Sequence, residues 1–213
     1  MKTRQEIKAA AKAAIANQRG TSILLYLVYT VIAGALISIQ FIIPGTLGYI
    51  IYLVAMLVVL VVAVGFYNAY RKIYLGEQTE LGELFMGFSN FGRNFLGGLW
   101  FFIFVFLWSL LLIVPGIIKA ISYSVVFFIL GESQNVDFRK ALKLSMKITK
   151  GHKGKIFVLF LSFIGWGLLS ILTLGILYVV FVGPYLSAAF AGMYVEMRDA
   201  ALESGVITQE DLA

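Results

Sequence analysis

Three apolar blocks, at 21–70, 95–130 and 156–195, constrain this chain more than any other feature. A membrane span needs about 20 apolar residues, so each block is too long for one crossing. Each is also interrupted near its middle by turn residues, at Pro44-Gly45, Pro115-Gly116 and Thr173-Leu174-Gly175. Proline cannot extend the helical hydrogen-bond ladder, and glycine tolerates the positive φ of a tight turn. The blocks therefore read as three helical hairpins, giving an all-α membrane protein with six transmembrane helices. Composition agrees. The chain is 61% hydrophobic with a mean hydropathy of +0.93, and it is 13% charged where soluble domains are about 25% charged.

The polar segments set the expected orientation. Residues 1–20 hold five basic side chains and one acidic, 71–94 hold three of each, and 131–155 hold seven basic and two acidic. The tail 196–213 is acidic, with Arg198 against five carboxylates. The three turns carry no charge. Lys and Arg are retained in cytoplasmic loops, so the basic segments and both termini are expected in the cytoplasm and the turns outside, as in a multi-pass protein of an inner or plasma membrane. Sixteen of the 17 basic residues then lie on one side. The fourth span is the weakest, because 117–130 has only 14 residues, about 21 Å against a hydrocarbon core of about 30 Å. The apolar run 23–43 is too long for the core of a cleaved signal peptide and lacks a cleavage region, so it reads as the first span.

Glycines precede the turns at regular distance: Gly20 to Gly45 is 25 residues, Gly92 to Gly116 is 24 and Gly151 to Gly175 is 24. A helix is expected ahead of each hairpin. The first starts at Thr3, with Glu6 completing a capping box. The second carries Leu81, Leu84, Phe85 and Phe88 at helical spacing. In the third, Arg139, Lys140, Lys143, Lys147 and Lys150 fall in one arc of roughly 100°, opposite Phe138, Ala141, Leu142, Ser145, Ile148 and Thr149. Three units of cytoplasmic amphipathic helix plus hairpin, in a pseudo-threefold arrangement, would explain the pattern. Bilayer thickness alone would also equalise the spacings.

The inventory of reactive groups is short. The chain has no cysteine and one histidine, His152, which leaves no cluster of metal-ligand type. Its loop, Gly151-His152-Lys153-Gly154-Lys155, is not a P-loop, because Thr149 stands where the first glycine belongs. Gly87-Phe88-Ser89-Asn90-Phe91-Gly92 lacks the spacing of a nucleophile elbow and reads as a loop. All 11 acidic residues lie in the polar segments or at their edges, whereas ion-coupled transporters place ionisable groups at membrane depth. Lys119, with Ser122 and Tyr123 on the same helical face, is the candidate intramembrane polar site. The alternative is that its stem snorkels to the outer interface. Gly34 with Ser38, and Ala188 with Gly192, have the spacing of close helix approach, and Pro184 is expected to bend the last span.

Taken together, Gly151-His152-Lys153, Leu161-Ser162-Phe163-Ile164-Gly165-Trp166, Leu172-Thr173-Leu174-Gly175-Ile176 and Pro184-Tyr185 resemble the bacterial membrane family catalogued as domain of unknown function 975. Trp108-Ser109-Leu110-Leu111, Pro115-Gly116-Ile117-Ile118-Lys119 and Tyr123 resemble its middle block. The pattern covers nearly the whole chain, with Leu177 standing where the family often has a second glycine. The resemblance implies a polytopic cytoplasmic-membrane protein without established activity. The plan is also distantly similar to the membrane domain of some glycerophosphodiester phosphodiesterases, whose catalytic domain has no counterpart in these residues.

The reading favoured by the sequence is a non-enzymatic protein without cofactors. Its expected partners are membrane lipids, in particular anionic ones, or a membrane or cytoplasmic protein, and not nucleic acid. The residues expected to bind them are Arg139, Lys140, Lys143, Lys147, Lys150, Lys153 and Lys155, since each basic residue near an anionic surface contributes about 1 kcal/mol. The alternative is a channel or facilitated transporter for a small or amphipathic solute, with Lys119, Ser122 and Tyr123 near its path.

Overall fold

The structure, a computed structural model, describes residues 1–212, the side chains of Gln40 and Leu111 excepted. Of the acidic tail, Ala213 therefore lies outside the described residues. All regular structure among the described residues is helical. Six stretches are long and apolar enough to cross a membrane: Arg19–Ile39, Thr46–Leu75, Leu81–Leu110, Ile113–Glu132, Lys153–Leu172 and Tyr178–Glu203.

The chain opens with α1 (Arg4–Asn17), whose capping box is formed: the Thr3 N–H donates to Glu6 Oε2 at 2.7 Å and the Glu6 N–H to Thr3 Oγ at 3.3 Å. Helices α2 (Arg19–Ile42) and α3 (Thr46–Leu75) pack along each other on either side of Gly45, at φ +87°. Helix α3 is 30 residues long, about 45 Å. Residues 81–90, expected as an amphipathic helix and a loop, form a 3₁₀ segment, Leu81–Asn90, that runs directly into α4 (Phe91–Leu111). Leu84 and Gly87 face inward, whereas Phe85 and Phe88 are exposed. Ser89 Oγ merely donates to the Met86 carbonyl. Gly65 of α3 and Gly87 let this segment cross α3 backbone to backbone: a Cβ on Gly65 would meet the Glu83 and Leu84 carbonyls.

The second turn differs from expectation. The break falls at Leu112, in extended backbone with φ −162°, and α5 (Ile113–Tyr123) starts before Pro115. A proline in the first turn of a helix gives up an N–H that has no intrahelical partner there, so Pro115-Gly116 opens the helix instead of ending one. The fourth span gains length as a result, reaching 20 residues as Ile113–Glu132, about 30 Å. It breaks again before α6 (Val126–Glu132). Carbonyls freed by such a break must be satisfied internally. Ser145 and Thr149 Oγ, on α7 (Phe138–Thr149), both donate to the Ser122 carbonyl, at 2.9 and 3.2 Å.

Helices α8 (Lys153–Leu161) and α9 (Ile164–Leu172) lead to the third turn, where Leu174 and Gly175 have positive φ. The return arm begins with a π-helical turn, Tyr178–Val182, and continues as α10 (Gly183–Glu203). The widened turn lies directly before Pro184, where the i−4 hydrogen bond is missing. Helix α10 extends through the expected start of the tail at 196, leaving only a loop and the short α11 (Gln209–Leu212) beyond it. Of the two small-residue pairs, Gly192 packs on the Tyr74 ring, but Gly34 faces open space.

Burial is strongly uneven along the hairpins. Residues 61–66 and 68–70 of α3, 126–131 of α6 and 188–195 of α10 are almost wholly enclosed, together with Ile7 and Ala11 of α1 and the inner face of α7. Near the turns the apolar side chains are bare, as at Phe41 (81%), Leu112 (67%) and Leu174 (94%). The molecule thus has a closely packed base, where α1, α7 and the inner hairpin ends meet, and apolar tips suited to lipid contact.

Candidate functional site

Helix α7 is the element on which the predicted binding residues converge. Asp137 caps it, accepting from the Arg139 N–H at 3.1 Å. Ala141, Leu142, Leu144, Ser145, Ile148 and Thr149 are buried against the helices around them, and Arg139, Lys143, Lys147 and Lys150 are exposed. The basic residues do not form one patch. Lys140 is drawn toward the C-terminal helix, 3.4 Å from Asp211 and 3.3 Å from the Glu210 carbonyl. The Asp211 carboxyl is held below the usual carboxylate range, first by the Thr208 N–H and then by Lys140 and Lys147. Lys153 and Lys155 lie on α8, and Lys155 faces the N-terminal segment beside Lys2 and Arg4.

Arg139 and Lys143 alone face a groove between α4, α5 and α7. Its walls are Trp100, Phe104, Tyr123, Leu142 and Met146, with Phe138 at the side of Arg139, and it encloses about 360 Å³. The three polar positions expected inside the membrane therefore part company. Tyr123 lines this groove. The Lys119 ammonium lies over the Trp108 ring, 4.8 Å from its centre, and 5.8 Å from that of Tyr123. Ser122 is buried, its hydroxyl donating to the Ile118 carbonyl at 2.6 Å while its carbonyl takes the two α7 hydroxyls. Its role is to join α5 to α7, and it does not share a ligand-facing site with Lys119.

His152 lies between α7 and α8 with Nδ1 enclosed and unpartnered among the described residues. Burial, then the charge of Lys155, pushes its pKa down. No group of three metal-ligating side chains occurs among the described residues.

The sequence reading missed the polar cluster at the base. Glu132 of α6 accepts from Tyr194 at 2.5 Å and from Arg198, both on α10, and Arg71 of α3 stands 3.8 Å away. Arg71 donates to Asn68, which bonds Glu83, and Glu83 pairs with Lys72 at 2.5 Å. Arg93 caps α6, donating to the Leu130 carbonyl at 2.6 Å and that of Ser133 at 2.5 Å. The signal in the sequence was slight: Glu132 and Arg198 are lone charges of opposite sign at the ends of two spans. The cluster ties three helices together.

A packed helical base and six apolar spans define a multi-pass helical membrane protein. Residues 110–201 match a family model described as protein of unknown function (DUF975), a likeness over less than half of the chain. The match is shorter than the near-complete coverage expected from the motifs. No curated protein and no solved structure gives a significant match.

Proposed function

We propose that the chain is a non-enzymatic protein of the bacterial cytoplasmic membrane, with its base and both termini in the cytoplasm, that binds anionic lipid through α7. One observation carries this reading: α7 packs most of its apolar face, Ala141, Leu142, Leu144 and Ile148, inside the molecule and turns Arg139, Lys143, Lys147 and Lys150 outward. Those cations have no buried role to explain them, and they stand at the end of the molecule where the other basic segments gather. Charge retention supports the orientation, and the family resemblance supports the compartment. The three-unit plan is carried best by α1 and α7, which precede hairpins as continuous helices, and least by the 3₁₀ segment.

Native mass spectrometry in mild detergent tests the reading by titrating phosphatidylglycerol against phosphatidylcholine. Replacing Lys143, Lys147 and Lys150 with Gln should weaken phosphatidylglycerol retention at least several-fold, and unchanged retention would refute it. Orientation can be read in the naturally cysteine-free chain. An impermeant maleimide should label Thr173→Cys in intact cells and Lys143→Cys only after permeabilisation. The reverse order would overturn the topology.

A further inference from the structure

Charged head groups adsorbing to α7 would need no cavity, yet the structure has one beside it. The groove between α4, α5 and α7 encloses about 360 Å³, within the range of ligand sites. Its walls divide by chemistry. Trp100, Phe104, Leu142 and Met146 present aromatic and aliphatic surface, and Trp100, Phe104 and Met146 are only half-buried, so the groove is open at the side. Arg139 and Lys143 stand at its edge one helical turn apart, about 6 Å along the axis, and on the same face. Among the described residues neither ammonium nor guanidinium forms a salt bridge with an acidic side chain; of the carboxylates on and against α7, Asp137 accepts from the Arg139 N–H as the helix cap and Asp211 engages Lys140. Tyr123 lines the apolar part, and exposed Ile117 and Ile118 continue from the same helix toward the tip. An occupant must therefore carry a negative head at the base and an apolar chain running toward the membrane.

A second groove repeats the arrangement, with Lys12 and Arg19 above Ile15, Ile23, Val180 and Phe181 around about 240 Å³. Paired cations beside an apolar furrow thus recur where the basal helices meet the spans.

Resting on the lipid-binding reading above, we infer that the α4–α5–α7 groove is a discrete site for one anionic phospholipid, its phosphodiester bridging Arg139 and Lys143 and one acyl chain lying along Trp100, Phe104 and Met146. The guanidinium and ammonium supply charge-assisted hydrogen bonds to the phosphate oxygens. The chain replaces bulk lipid contact, so selectivity comes from the head and site occupancy from the fit of the chain.

The test uses the full chain in detergent with phosphatidylglycerol and phosphatidylcholine as probes. Wild type should retain one phosphatidylglycerol about 10-fold more tightly than any further copy and than phosphatidylcholine. Met146→Trp, which fills the groove, should abolish that first tight step and leave weaker adducts unchanged. Arg139→Gln with Lys143→Gln should remove the preference for phosphatidylglycerol. Loss of binding in Lys147→Gln with Lys150→Gln, but not in Met146→Trp, would overturn the groove and leave the basic-surface reading standing. Absence of any preference in the wild type would overturn both. A second measurement does not depend on a variant folding: phosphatidylglycerol with a photoreactive acyl chain should crosslink to residues of α4 and α7 lining the groove, and adducts confined to other helices would refute the site.

Discussion

Gly65→Ala should destabilise this protein, although the same change elsewhere in a helix stabilises. An added Cβ on Gly65 would press on the carbonyl oxygens of Glu83 and Leu84 and stand 2.6 Å from the Leu84 carbonyl carbon, where ordinary contact begins at 3.4 Å. These atoms belong to the main chain of the 3₁₀ segment, so no rotamer change relieves the clash and the crossing must open by most of an ångström. Overpacking of this kind costs about 1–3 kcal/mol, against a gain of about 0.5–1 kcal/mol from replacing a helical glycine. At the middle of the overpacking range, about 2 kcal/mol, the net loss is about 1–1.5 kcal/mol. At roughly 2–4 °C per kcal/mol for a chain of this length, Tm should fall by about 2–6 °C. Gly34→Ala is the internal control, because nothing lies within 4 Å of its added Cβ, and it should raise Tm by about 1–3 °C. Thermal unfolding in detergent, followed by the fluorescence of Trp100, Trp108 and Trp166, reads both. Equal shifts of the same sign would refute the crossing of α3 by the 3₁₀ segment.

Glu132→Gln should cost about 3 kcal/mol, since it leaves Arg71 without a carboxylate partner among the described residues, and Arg198 with Asp199 alone, in a mostly enclosed site; Arg198→Met added to it should restore part of the loss in a double-mutant cycle. Ser145→Ala and Thr149→Ala should each cost about 1 kcal/mol, and together more than their sum, because each can serve the Ser122 carbonyl when the other is lost. Docking of α11 on α7 should depend on pH. The folded Asp211 carboxyl titrates below its unfolded value, so its contribution is present above pH about 4 and lost as pH falls through the folded value. Hydrogen exchange of residues 205–212 should speed up on acidification relative to α10, and Lys140→Gln should reduce that pH dependence without removing it, because the Thr208 N–H still holds the carboxylate.

The six apolar spans were legible because span length and hydropathy act residue by residue and depend little on tertiary context. The turn at Pro44-Gly45 falls where the sequence places it. The turn at Pro115-Gly116 does not, because proline both ends helices and opens them, and only the packing of α5 on α4 decides between the two. The basic face of α7 was readable from periodicity, but its division was not: whether Lys140 meets Asp211 and Arg139 meets a groove depends on how remote segments return to the helix. Lys119, Ser122 and Tyr123 share one face of α5, and spacing could not reveal that Ser122 is consumed by capping hydroxyls from α7. The Glu132–Arg198–Arg71 cluster joins residues up to 127 positions apart, a separation that leaves no local trace.

The length of α3 bears on how such a protein meets membranes of different composition. Some 45 Å of helix against about 30 Å of hydrocarbon leaves roughly ten residues standing clear of the acyl chains at one end. That end is where Asn68, Arg71 and Lys72 engage the 3₁₀ segment and the base. A thicker or thinner bilayer is therefore accommodated at the loosely joined tips by tilt, while the basal scaffold and the groove beside α7 keep their geometry. On the proposed reading, bilayer thickness and lipid recognition become separable variables in a single small chain.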